Sequence, residues 1–132
     1  MIDDALGRRQ STQERSDIIQ LIPSPRVQDD DGLGIFPGAI KRFNGSARIP
    51  HMGWNSLSSV KPCALTCGIP EGTYMYFAHS YYAPLITATA AACTYIQPYT
   101  AILHERNVYA VQFHPEKSGP AGLKIVKNFL DL

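Results

Sequence analysis

No apolar run in this chain approaches the roughly 18 to 20 residues needed to cross a bilayer, and no internal repeat or low-complexity stretch is present. Nor is there an excess of either charge. Twelve Lys and Arg oppose eleven Asp and Glu, a formal net charge of +1 at pH 7. That balance recommends neither nucleic acid nor a membrane surface as partner. The N-terminus, Met1-Ile2-Asp3-Asp4, lacks an apolar signal core, and the acids Glu14 and Asp17 argue against an organelle transit peptide. Cysteine is scarce: Cys63, Cys67 and Cys93 are odd in number and form no zinc-like C-x-x-C repeat. They read as reduced thiols of a cytosolic protein, most of them buried.

What remains suits one modest domain of 132 residues, 45% of them hydrophobic. That length buries a real core but is small for a complete two-sided α/β enzyme. Residues 1–31 are polar, apart from Ile18-Ile19-Gln20-Leu21-Ile22, and read as a frayed helix ending near Ile22. Pro23-Ser24-Pro25 stops it, and Asp29-Asp30-Asp31-Gly32 forms a solvated turn.

From residue 32 to 132 short apolar runs alternate with turn residues. Gly34-Ile35-Phe36, Ala39 to Phe43 and Arg48-Ile49 are expected as short strands, as are Thr73 to Ala78 and Leu85 to Thr89. Tyr99 to Leu103 and Val108 to Phe113 are expected to pair through Glu105-Arg106-Asn107. Near-continuous apolar character in the second of these points to burial on both faces. A closing helix over 120–131 would be capped by Ser118 or Gly119, with Pro120 in its first turn. Leu123, Val126 and Leu130, flanked by Ile125 and Phe129, form its apolar stripe, with Lys124, Lys127 and Asn128 outward.

The stretch richest in chemistry is Val111-Gln112-Phe113-His114-Pro115-Glu116-Lys117-Ser118, at the end of the expected buried strand. Pro115 holds His114 extended and ends the strand, so an imidazole and a carboxylate emerge together. A carboxylate two residues on can accept the imidazole N–H, fix its tautomer and raise its basicity. The plainer alternative is a capping loop in which Glu116 only favours the helix N-terminus. Spacing alone leaves both open.

Gln112-Phe113-His114-Pro115-Glu116 resembles the signature of class I glutamine amidotransferases. Ile49-Pro50-His51-Met52-Gly53-Trp54-Asn55, Tyr76-Phe77-Ala78-His79-Ser80-Tyr81-Tyr82 and His114 to Ser118, in this order, narrow the likeness to the glutaminase of imidazole glycerol phosphate synthase. The resemblance implies an α/β fold: the C-terminal part of the three-layer amidotransferase fold, with a mixed β-sheet. It also implies His114 as general base and Glu116 as its partner, with Ser80 and Tyr81 holding glutamine through their backbone. Met52, Trp54, Asn55, Tyr76 and Lys117 would face a (βα)8 cyclase barrel, and no metal or organic cofactor is implied. His51 and His79 are expected to be structural.

The family's nucleophile is a cysteine on a G-x-C-x-G elbow, and this sequence contains none. Cys67 lacks the preceding glycine, and Cys63 and Cys93 have no elbow context. Upstream of Gly32, only Gln20-Leu21 resembles the family's residues just past the elbow, which would put Ser16 at the cysteine's place and Ile18 at a glycine's. A truncated gene model, a deliberately shortened chain or true loss would each account for this. The expectation is therefore an incomplete core with an apolar sheet edge, marginal stability, and no glutaminase activity from the chain alone.

Overall fold

The computed structural model describes residues 17–20, 40–45 and 47–132, the first four by their backbone. Ser16, Leu21-Ile22 and the strand expected at Gly34-Ile35-Phe36 lie outside the described residues. The expected helix towards Ile22 is corrected where it can be seen: Asp17–Gln20 is a strand, β1. Its β-branched Ile18-Ile19 pair suits extended backbone better than a helix. The remaining strands are β2 (Lys41–Arg42), β3 (His51–Ser56), β4 (Tyr74–His79), β5 (Tyr81–Tyr82), β6 (Thr89–Tyr95), β7 (Gln97–Glu105) and β8 (Val108–Val111). A 3-10 turn over Pro115–Lys117 then leads into helix α1, Gly119–Leu130.

One sheet has the order β1-β8-β7-β6, with β1 parallel to β8 and the other neighbours antiparallel. It is the mixed sheet expected. β8 lies inside it, which explains its unbroken apolar character: Tyr109, Ala110 and Val111 are all buried. Two smaller pairs, β3 with β4 and β2 with β5, complete the strand structure of the described residues. Two expectations fail. Arg48-Ile49 precedes β3 rather than forming a strand, and Leu85 to Ile86 is loop, with the strand starting at Thr89. β6 hides because Ala90, Ala91 and Ala92 are weak strand formers; pairing with β7 holds the segment extended, and all three are buried.

The core joins the sheet to the β3–β4 hairpin and α1 through Phe43, Phe77, Tyr99, Ile102, Val111, Phe113 and Ile125. Fully burying each such side chain contributes about 1.5–3 kcal/mol. Phe77 meets Phe113 edge-on at 5.9 Å between ring centroids. The cysteines are all free thiols, but only Cys93 is buried; Cys63 is half-buried and Cys67 exposed. Among the described residues no helix is long and apolar enough to cross a membrane.

The inward face of α1 also differs from expectation. Gly122 and Ile125 are buried and Phe129 half-buried, whereas Leu123 and Leu130 are 69% and 73% exposed. The helix turns this way because a Cβ on Gly122 would lie 2.0 Å from the Pro115 carbonyl oxygen. Only glycine lets α1 approach the His114–Pro115 turn so closely. Asn128 is likewise turned inward, donating to the Leu65 and Cys67 carbonyls at 2.8 Å each.

His51 and His79 sit in the core, as expected of structural histidines. Burial lowers both to a pKa of about 4 from the ordinary 6.5; for His79 the nearby charges of His51 and His114 add to this, against the opposing pull of the Tyr81 carbonyl. Below pH 6.5 the unfolded chain takes up protons that the folded core resists, so stability falls as pH drops from about 6.5 to about 4. Denaturant midpoints should therefore decline through that window, and replacing both histidines by glutamine should flatten the decline. A midpoint constant from pH 7 to 4 would contradict this burial.

Candidate active site

β8 delivers the chain to His114, whose backbone is extended with φ −97° and ψ 100° before the 3-10 turn. The turn brings Glu116 back beneath it, and His114 Nδ1 lies 3.0 Å from Glu116 Oε2. The carboxylate can only accept, so Nδ1 donates and the basic lone pair is placed on Nε2. His114 is one-fifth exposed and Glu116 about two-thirds exposed. Such a pair can act as a proton acceptor held by an orienting acid.

The turn is fastened to β4. The His114 amide donates to the Tyr76 carbonyl at 2.9 Å, and the Tyr76 amide donates to Ser118 Oγ at 2.9 Å. Ser118 Oγ in turn donates to the His114 carbonyl at 2.7 Å. Ser118 is the N-cap residue of α1, yet its buried hydroxyl caps nothing in the helix; it closes this ring instead. Only the cap is legible in the sequence, because nothing local indicates a partner 42 residues upstream.

Ser80 and Tyr81 follow at the bend from β4 to β5, both half-buried. The Ser80 carbonyl accepts from the Phe43 amide at 2.9 Å, and the Tyr81 carbonyl accepts from His79 Nδ1 at 2.7 Å. The bend therefore leaves β4 just beyond the Tyr76 joint that carries His114.

Strand alternation sorts the expected docking residues. Met52 and Trp54 point outward from β3 at 61% and 54% exposure, and Trp54 meets Tyr76 edge-on at 6.0 Å. Lys117 is exposed on the turn beside them. Asn55 belongs to the other face of the pleat: its side chain turns inward, donating to the Thr94 carbonyl at 3.0 Å and accepting from the Ser56 amide at 2.8 Å. Tyr74, 59% exposed and two residues from Tyr76, joins the outward patch. Its period-2 relation to Tyr76 was the available signal. Gly53, at φ +130°, gives the block a backbone that a side chain would strain.

The family model for class I glutamine amidotransferases matches residues 15–132. The imidazole glycerol phosphate synthase subunit HisH of Bacteroides fragilis is 50% identical over 105 residues, covering 77% of this chain and 53% of that protein. Its namesakes from Desulfitobacterium hafniense and Methanocaldococcus jannaschii are 48% and 44% identical, over 74% and 76% of this chain and 47% and 52% of theirs. The chain thus spans about half the length of the curated relatives it matches. A crystal structure of a putative GMP synthase protein from Thermoplasma acidophilum superposes with a TM-score of 0.56 at 20% identity, over 70% of this chain and 47% of that one. That likeness shows the fold alone.

Ser118→Ala leaves the Tyr76 amide without its acceptor inside the protein, at a cost of about 1–3 kcal/mol. Thermal unfolding should register that loss, together with displaced His114 resonances. An unchanged melting temperature would remove Ser118 from the joint.

Proposed function

We propose, on the premise that this chain belongs to the class I glutamine amidotransferase family, that it forms the base-bearing half of a glutaminase feeding ammonia to a (βα)8 cyclase in imidazole glycerol phosphate synthase. The observation that carries this reading is the 3.0 Å contact from His114 Nδ1 to Glu116 Oε2, on a turn bonded to the strand behind the Trp54–Tyr76 patch. The names of the relatives support the same assignment. In the reaction, a cysteine thiol gives its proton to His114 Nε2 and attacks the side-chain carbonyl carbon of glutamine. The proton passes to the leaving nitrogen, ammonia departs, and water then cleaves the thioester to glutamate and free thiol. Ser80 and Tyr81 hold the substrate through their backbone. In the cyclase the ammonia closes the imidazole ring and releases an aminoimidazole carboxamide ribotide, a cytoplasmic step of histidine biosynthesis.

None of the three cysteines suits the nucleophile's part. Cys93 is buried in β6, and burial raises its thiol pKa, which disfavours the thiolate. Cys63 and Cys67 stand in a loop without the glycine-flanked elbow. A second reading is that the domain only binds or stabilises the cyclase.

Ammonia release from glutamine, measured with the cyclase present, separates the two. The chain as it stands should release none. Joined in frame to the elbow-bearing N-terminal half of a HisH relative it should become active, and His114→Ala in that protein should lower the rate by about 10²-fold or more. Activity that survives His114→Ala would refute the assignment of the base. A joined protein that binds cyclase but makes no ammonia would establish the second reading.

Docking has its own test. Trp54 should anchor the cyclase contact together with Met52, Tyr76 and Lys117, so Trp54→Ala should weaken association by about 2 kcal/mol or more in calorimetry. Unchanged affinity would move the interface elsewhere.

A further inference from the structure

Asn55, His51, Tyr99 and His79 form a line whose direction can be worked out from both ends. At one end, Asn55 Oδ1 accepts from the Ser56 amide at 2.8 Å, which fixes the orientation of the side-chain amide. Its Nδ2 therefore donates, to the Thr94 carbonyl at 3.0 Å and, in a longer contact, to His51 Nε2 at 3.5 Å. A nitrogen that accepts carries no proton, so a neutral His51 must be protonated on Nδ1. That atom lies 3.3 Å from the Tyr99 hydroxyl. At the other end, the Tyr81 carbonyl can only accept, so His79 is protonated on Nδ1 and donates to it at 2.7 Å. His79 Nε2 is then an acceptor, 3.1 Å from the same Tyr99 hydroxyl.

The two ends demand the same thing of the middle. Tyr99 must accept from His51 and donate to His79, and a hydroxyl can do both at once. No group in the line has to reverse.

Packing holds the line rigid. His51, His79 and Tyr99 are all buried, and His51 is stacked on Tyr95 at 3.9 Å between ring centroids with the planes 8° apart. His79 and Tyr99 meet edge-on at 5.1 Å, and Phe43 closes over both. Core histidines with satisfied nitrogens are common, and a purely structural role would need only that each be bonded somewhere. Here the bonds run in one sense, from the β3 hairpin to the carbonyl of a residue at the proposed substrate bend.

We propose that Asn55, His51, Tyr99 and His79 form a one-directional hydrogen-bond relay that ties the position of the docking hairpin to the backbone at Ser80–Tyr81. His79 is thereby a positioning residue for the glutamine-holding bend, and Tyr99 carries that restraint to Asn55. The purpose of the relay rests on the glutamine-binding role proposed above for Ser80 and Tyr81; its existence does not. A partner that shifts β3 would move the Tyr81 carbonyl without touching it.

The test uses the full chain, labelled with nitrogen-15 and carbon-13, and long-range imidazole spectra. Both His51 and His79 should carry their proton on Nδ1, the reverse of the Nε2–H tautomer that histidine favours in water. A proton on Nε2 of either ring in the neutral form would overturn the relay. Asn55→Asp then replaces the terminal donor with an acceptor. It should draw the His51 proton to Nε2, turn the Tyr99 hydroxyl towards His51, and shift His79 Nε2 and the Tyr81 carbonyl although neither touches residue 55. In a Tyr99→Phe background the same change should leave His79 and Tyr81 unmoved. If Asn55→Asp leaves them unmoved in the native background, or moves them equally in both, the proposal fails. Should Tyr99→Phe not fold, the tautomers and the native-background response still decide. No readout depends on catalysis, so failure here leaves the glutaminase reading standing, and a negative ammonia assay leaves the relay standing.

Discussion

A ring of three hydrogen bonds among Tyr76, His114 and Ser118 holds this molecule's His114 turn to β4. Tyr76 receives the His114 amide on its carbonyl and gives its own amide to Ser118, which returns a bond to the His114 carbonyl. The ring is buried at Ser118, where each lost bond would leave a desolvated polar group. Because of it, the turn that presents His114 and Glu116 cannot shift without β4. Gly122 completes the joint from the other side by letting α1 settle against Pro115.

The same strand has two working faces. Outward lie Tyr74 and Tyr76 beside Trp54; inward lie Met75, Phe77 and His79, which reach the core and the histidine relay. The His114 turn, Trp54 and the Ser80–Tyr81 bend thus all adjoin one six-residue strand. A β-strand suits this because its alternation separates solvent-facing contacts from packed ones without a change of backbone. His51, His79 and Tyr99 survive in the core because each finds a partner of the right donor or acceptor sense.

Features that depend on neighbours in sequence were legible beforehand. The Phe113-His114-Pro115-Glu116 order already implied a strand end with an acid beside an imidazole, and the buried character of β8 was plain in Val108 to Phe113. The pleat placed Met52 with Trp54 and should also have drawn in Tyr74 while setting Asn55 apart. What stayed hidden was decided by contacts across the fold. The alanines of β6 carry no strand signal, and Leu123 and Leu130 are apolar yet turned away because Gly122 admits a closer approach on another face. Ser118 and Tyr99 look ordinary in sequence, since their partners lie 42, 20 and 48 residues distant. The Ile18-Ile19 segment, read as helix, is a strand because β8 offers its backbone.

The claim on which these relations rest is that β4 and the His114 turn move as one body. Native-state hydrogen exchange at single-residue resolution measures this directly, through the opening free energies of the Tyr76 and His114 amides. The account predicts that the two amides open together, with the same free energy and the same denaturant dependence, and that both are far better protected than the Arg106-Asn107 turn. A His114 amide that exchanges as freely as that turn, while Tyr76 keeps core-like protection, would contradict it.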